Sequence, residues 1–406
     1  MENAIKDWRG RSYRPGPVPA DRVRMFRLAL AAMAAISPLQ YGYAALLAKE
    51  GTGLTLLAVW IACQAAGALP ALHLVRRRRL DVRACLAAGA VLSGLGLAMA
   101  ALSPASLVGY ALLGGLGAGL VYGVCGEVVS SWYPERPAAR VGLITGAFGY
   151  GAVPLLVWTG IAPGATTAAF LVCAVLATAV IATAARHLRL PPLLWWPGDV
   201  DPRTHALDAA RLRTSPEAVK QFGPAQALRT RTLPALALIL TCAGAVSLFD
   251  VIVVAGTGTW GALALLVALN GAGRSVAMRA AELYGRRRVL AAVFGSLALG
   301  QVLLAVAVQN AAGGVPLWLG AVAAGLGGGA FYPLLASLVR ELFGTERATE
   351  IHAVVYSAKA VAGVVAVALA LMPPGAALLA AAALAALPAL ATPRLRIPGL
   401  PATIPL

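Results

Sequence analysis

"GLGAGLVY" at residues 115–122 and "GLGGGAFY" at residues 325–332 are one phrase written twice, 210 residues apart. Runs of small residues let helices approach closely inside a membrane, so one such match alone would be a packing motif. The match is not alone. At the same offset "RRR" at 76–78 meets "RRR" at 286–288, Gln64 falls opposite Arg274, and Gly149 falls opposite Lys359. The chain therefore reads as two copies of one unit.

Composition says what kind of unit. Of 406 residues, 60% are hydrophobic and only 12% charged, with a mean hydropathy of +0.79. A soluble chain of this length needs far more polar surface. The apolar residues come in runs of about 20, the length a helix needs to cross a bilayer. Abundant Gly, Ala and Leu without alternation favours helices over a β-barrel. Spans are expected at 25–48, 54–75, 84–102, 107–131, 140–160, 165–186, 232–256, 258–283, 289–309, 315–339, 348–372 and 374–391. The expected fold is an all-α polytopic membrane protein of twelve transmembrane helices in two six-helix repeats.

The net charge of +17 would suggest nucleic acid in a soluble protein. Its placement points to the bilayer instead, and no nucleic-acid partner is expected. Of 33 Lys and Arg, 30 lie in or at the edges of the two tails and the even-numbered loops. Lys49 lies in an odd-numbered loop, and Arg274 and Lys359 lie inside spans. Basic residues stay cytoplasmic. Both termini and the central loop are thus expected inside, in a plasma (cytoplasmic) membrane. The first span follows a basic, proline-containing tail and is too long for a signal-peptide core, so it is expected to stay as a helix.

The divisions follow: a tail at 1–24, a bundle at 25–186, a central loop at 187–231, a second bundle at 232–391 and a tail at 392–406. Within the loop, "PPLLWW" at 191–196 is expected at the membrane interface, a depth that Trp favours. Two parallel repeats joined by a cytoplasmic loop are the layout of rocker-type secondary transporters, with the site between the halves at mid-membrane.

Enzyme chemistry finds no foothold. Cys63, Cys85, Cys125, Cys173 and Cys242 all fall within spans, with no disulfide framework. His73, His187, His205 and His352 lie near the basic side without metal spacing. No Walker loop, dinucleotide fingerprint or nucleophile elbow appears in a usable context, so neither cofactor nor metal is expected.

The stretch "VVYSAKAVAGVV", Val354 to Val365, holds one charge among eleven uncharged residues. Lys359 lies 12 residues beyond Arg347, and Arg274 lies 12 residues before Arg286. Each is roughly 18 Å in from the flanking charges, near the middle of the apolar core. Facing lipid, each would cost at least roughly 2.5–3.5 kcal/mol. One resolution is a buried acid partner, for which Glu127 and Asp250 are the candidates. The other is a ligand. A small dianion, or one carboxylate gripped from both sides, would relieve the repulsion of two cations sharing a cavity. Arg offers a planar fork for a carboxylate, and Lys a compact point charge.

Around them the sequence offers Asn270, four residues before Arg274, and Tyr356, three before Lys359. Tyr41, Tyr122, Tyr150 and Tyr332 could line a carboxylate pocket or pack between helices. Gln64 is a neutral donor at the depth of Arg274; Gln40 carries less of this argument. Glu127 and Asp250 could instead gate or carry protons, Glu127 facing the cytoplasmic funnel and Asp250 the outer one.

"AELYGRRR", Ala281 to Arg288, resembles the loop signature of the major facilitator superfamily, with Glu282, Gly285 and Arg286 in the matching places. The resemblance implies gating roles for Glu282 and Arg286. The first-half counterpart, "LHLVRRRR" at 72–79, keeps the basic run but lacks the acid and the Gly. "GAGLVYGVCGEVVSSWYPERPAARVGLITGAFGYGAVP" at 117–154, "NGAGR" at 270–274 and "SAKAVAG" at 357–363 resemble the oxalate/formate antiporter family. There an Arg and a Lys at these two places bind the substrate's carboxylates. The resemblance implies that role for Arg274 and Lys359 in a monomeric secondary transporter of small organic anions, with dicarboxylate exchange as one form. Relatives that carry monocarboxylates also place an Arg on the eighth span. Proton-coupled monocarboxylate symport, export of another anionic compound, and a non-transporting sensor with a transporter fold are the alternatives.

Overall fold

The computed structural model describes residues 4–7, 10–50, 53–103, 106–211, 218–309 and 314–399. Among them are twelve helices long and apolar enough to cross a membrane. Spans 1 to 6 are Arg22–Ala48, Leu54–Val75, Val82–Leu102, Leu107–Trp132, Ala139–Ile161 and Pro163–His187. Spans 7 to 12 are Thr232–Gly256, Trp260–Tyr284, Arg286–Gln309, Val315–Phe343, Ala348–Ala370 and Pro374–Arg394. Helices satisfy their own backbone hydrogen bonds, which lipid cannot do for them. Several helices overrun the apolar segments because their charged ends find protein partners. Arg22, at the start of span 1, gives its Nε to the Trp132 carbonyl at 2.8 Å and pairs with Glu135.

The repeated phrase sets the packing in each half. A methyl group added at Gly119 would run into the Gln64 carbonyl of span 2, and one at Gly329 into the Asn270 carbonyl of span 8. Glycine there lets span 4 lie on span 2 and span 10 on span 8. Between the halves, Gly146 and Gly149 of span 5 meet Gly271 of span 8 backbone to backbone. Span 11 lies along span 2, where Gly363 packs on Ile61.

Besides the π-helical segments Ala71–Val75 in span 2 and Leu107–Gly114 in span 4, spans 1, 5 and 11 depart from the plain α-helix. Span 1 contains a π-turn at Pro38–Gly42. Proline supplies no N–H, and such widened turns concentrate at functional sites. Span 5 is interrupted between Pro137–Tyr150 and Val153–Ile161, just before Pro154. Span 11 is interrupted between Ala348–Ser357 and Lys359–Ala370, so Lys359 begins the second piece.

The central loop is docked at both ends. β1 (Ile5–Lys6) pairs antiparallel with β2 (Ser12–Gly16), and β2 pairs parallel with β3 (Trp195–Pro197). This ties the N-terminal tail to the loop. The indole rings of "PPLLWW" are buried in the protein, while Leu193 and Leu194 beside them are exposed. Trp195 packs on Trp132 and Trp196 on Tyr13, each with ring centroids 4.9 Å apart. Further on, the Phe222 amide donates to the Phe343 carbonyl at 2.9 Å, fixing the loop to the end of span 10. The face that carries the tails and this loop is called the basic face below.

Candidate functional site

Arg274 and Lys359 are 1% and 2% exposed and share one cluster between the halves. Among the described residues neither forms an ion pair, so the buried-acid resolution is not the one adopted. Lys359 Nζ donates to Gln40 Oε1 at 3.0 Å and to Gln64 Oε1. Arg274 donates through Nη1 to the Thr145 carbonyl at 2.7 Å and through Nη2 to Asn270 Oδ1 at 3.1 Å and Tyr41 Oη at 3.4 Å. Its Nε is buried without a partner. Tyr41 in turn donates to Asn270 Oδ1, and Asn270 Nδ2 to Ser247 Oγ, both at 3.2 Å.

Every oxygen around the two cations is neutral, and most come from the opposite half. The widened turn in span 1 presents Gln40 and Tyr41 together. Thr145 turns its own hydroxyl back to the Val141 carbonyl at 2.9 Å, leaving its carbonyl for Arg274.

Aromatic rings close the cluster. Lys359 Nζ lies 5.5, 5.6 and 5.7 Å from the ring centroids of Phe148, Tyr332 and Tyr356. Arg274 Cζ lies 5.3 Å from Tyr332 and 6.0 Å from Phe148. These distances are within the range of cation–π attraction. Tyr122 stacks on Tyr356 at 5.4 Å and meets Phe148 edge-on at 5.7 Å. Phe148 from the first half and Tyr332 from the second thus each face both cations.

Sequence reasoning named Tyr150 and passed over Phe148. The two are about 200° apart around a helix, so only one can face the cluster. The ring of Tyr150 lies beside Gly271 where spans 5 and 8 touch. Thr145 and Ser247 were also not picked out, since a carbonyl donor site and a small hydroxyl leave no distinctive sequence signal.

On the basic-face side of the cluster lies a small cavity lined by residues of both halves, among them Tyr122, Glu127, Thr145, Tyr332, Arg340 and His352. Glu127 faces it. Its Oε1 is 4.0 Å from Arg76 Nε and accepts from Ser131 Oγ at 3.1 Å. The second half repeats this arrangement with acid and hydroxyl exchanged. Arg286, the counterpart of Arg76, donates to Ser337 Oγ and pairs with Glu341 at 3.0 Å. Ser337 and Glu341 stand 210 residues beyond Glu127 and Ser131.

Glu282 takes no part in that grouping. Among the described residues it pairs only with Arg279, at 3.4 Å on an exposed surface. The clasp between halves comes from the first-half basic run despite its missing acid. Arg77 donates from Nε and Nη2 to both oxygens of Glu350, each at 3.0 Å, and Arg76 Nη1 donates to Thr349 Oγ1 at 2.7 Å. Glu350 stood in the first turn of an apolar span, a signal that sequence reasoning did not use. Asp250 lies apart from both cavity and cations. It is 1% exposed, accepts from Gln301 Nε2 through Oδ1, and its Oδ2 is buried without a partner. It therefore does not face an outer funnel.

Residues 25–367 match the family described as the Major Facilitator Superfamily. No curated protein matches the chain. Among solved structures, the chain is similar to the nucleoside transporter NupG at 11% identity and a TM-score of 0.61, over 93% of this chain and 99% of that one. It is also similar to the proton:xylose symporter XylE at 14% identity and a TM-score of 0.66, over 91% and 95%. Both likenesses concern the fold.

Proposed function

The chain belongs to the major facilitator superfamily and is a multi-pass membrane transporter rather than an enzyme, and we propose that its cargo is a small organic anion, a mono- or dicarboxylate. The observation that carries this is the pair Arg274 and Lys359, buried together and answered only by neutral oxygens. Dipoles offset part of the penalty of two charges in a low dielectric; a carboxylate would offset more. Arg274 supplies a fork and Lys359 a point charge, so a dicarboxylate would span them and a monocarboxylate would be held from both sides. Phe148 and Tyr332 favour a flat, small anion. Gln64, Tyr41, Tyr122 and Phe148 of the first half would set size and shape, while the second half holds charge.

The same arrangement favours exchange. An empty carrier must reorient with two uncompensated cations, whereas a loaded one moves them neutralised. Anion-for-anion antiport by alternating access follows, by a monomer with its basic face in the cytoplasm. A second reading, proton-coupled symport, is favoured by Asp250, a buried carboxyl with no cation beside it. NupG carries a nucleoside and XylE xylose; at such identities they speak to fold and not to cargo.

The test is a thermal-shift screen of purified protein against mono- and dicarboxylates, nucleosides and sugars, followed by flux in proteoliposomes with and without a pH gradient. Carboxylates should stabilise the protein, and Lys359→Gln and Arg274→Gln should remove that shift while the variants stay folded. Stabilisation by neutral compounds equal to that by carboxylates overturns the anion reading. Binding without flux would make the chain a sensor.

A further inference from the structure

The cavity beside the cluster has an arginine of its own. Arg340 lines it and makes no hydrogen bond or ion pair with any described residue. His352 lines it too, with Nδ1 buried and unpartnered. Glu127 is the carboxylate in the same wall, and Arg76 lies against it while also holding Thr349. Glu127 and Arg340 balance within the lining, and Arg76, outside it against Glu127, leaves the surroundings with one positive charge in excess.

We infer that Arg340 and His352 form a second, outer anion site, where a carboxylate pauses before it reaches Arg274 and Lys359. The inference rests on the anion reading of the inner cluster. Two stripes of side chains connect the sites. On span 10, Tyr332, Ala336 and Arg340 are four residues apart and share a face. On span 11, Thr349, His352, Tyr356 and Lys359 follow at intervals of three or four. Tyr332 belongs to both sites, lining the cavity and facing both inner cations.

From Arg340 to Tyr332 is about 12 Å along the helix. A small carboxylate would therefore leave one site before occupying the other. The cavity lies outside the tighter ring of aromatics and has room for an anion as small as formate. Arg340 would supply the charge, and His352 a donor when its proton is on Nδ1. Such a site raises the local anion concentration at the mouth of the inner one.

Formate serves as probe, since its proton permits saturation-transfer NMR on weak sites. In an Arg274→Gln/Lys359→Gln variant the inner site is disabled. A formate signal should persist there, and adding Arg340→Gln should reduce it by at least half; His352→Ala should weaken it less. In an otherwise native chain, Arg340→Gln should slow formate exchange in proteoliposomes several-fold at low formate and restore most of the rate at saturation. No formate signal in the inner-site variant, or one indifferent to Arg340→Gln, overturns the outer site. So does a loss of saturated rate as complete as that of Lys359→Gln. Should the inner variant not fold, Lys359→Gln alone takes its place with the same two outcomes. A parent whose formate signal depends on Arg340 but not on Arg274 or Lys359 overturns the inner reading instead and leaves the outer site standing.

Discussion

Gln40 and Lys359 are 319 residues apart in the chain, and Oε1 of the one accepts a hydrogen bond from Nζ of the other at 3.0 Å. Gln64 accepts from the same ammonium. The first half thus holds the second half's charge by neutral dipoles alone. This arrangement can be released without breaking an ion pair, which suits two halves that must separate.

Replacing Gln64 or Gln40 by Leu should therefore destabilise the empty protein. A buried ammonium that loses an acceptor costs about 1–3 kcal/mol. Thermal unfolding in detergent should fall for each variant, and an excess of a binding carboxylate should recover more stability than in the parent. An unchanged unfolding temperature would mean that the amides are not what holds Lys359.

Glu350→Gln should loosen the basic-face clasp. The carboxylate answers Arg77 and also Arg347, whose Nη2 lies 2.6 Å from Oε2. Because the two arginines are partly exposed, the loss is about 1 kcal/mol, a roughly fivefold change in population. Ala336→Cys on the cavity wall reports it: a charged thiol reagent should modify the double variant about fivefold faster than Ala336→Cys alone. Equal rates would place the barrier to the cavity elsewhere.

Gly271→Ala should separate spans 5 and 8. The added carbon would meet the Gly146 carbonyl and, at 2.7 Å, the Tyr150 amide, and backbone cannot turn aside as a side chain can. Overpacking of this kind costs about 1–3 kcal/mol. Spin labels on the two helices should report a longer distance by pulsed electron resonance. A distribution identical to the parent's would show that the contact yields without domain movement.

Val219→Cys tests the orientation. Val219 is 52% exposed in the central loop. In whole cells, a membrane-impermeant thiol reagent should modify it only after permeabilisation. Modification in intact cells would invert the topology.

Much of the molecule was legible from its residues. The repeat at 115–122 and 325–332 foretold that the halves are built alike, and the spans fell within a few residues of expectation. Arg274 and Lys359 stood out because charge in an apolar run has a known penalty. Their partners were less legible. Gln40 looked secondary to Gln64, yet both bond Lys359. Phe148 went unnamed beside Tyr150, because an aromatic in a glycine-rich helix announces size but not direction.

The sequence by itself determined the number of spans, their twofold repetition and the presence of two cations inside apolar spans. Lipid accepts only segments that satisfy their own backbone, so length and hydropathy suffice to find them. Tertiary structure decided which side chains meet. The π-turn at Pro38–Gly42 changes the direction of everything beside it in span 1, and the break before Lys359 aims its ammonium at spans 1 and 2. Arg77 reaches Glu350 across 273 residues because the halves are docked at the basic face. Such contacts depend on the rotation and register of helices from different repeats, which glycine-to-glycine packing fixes and periodicity along one helix does not contain.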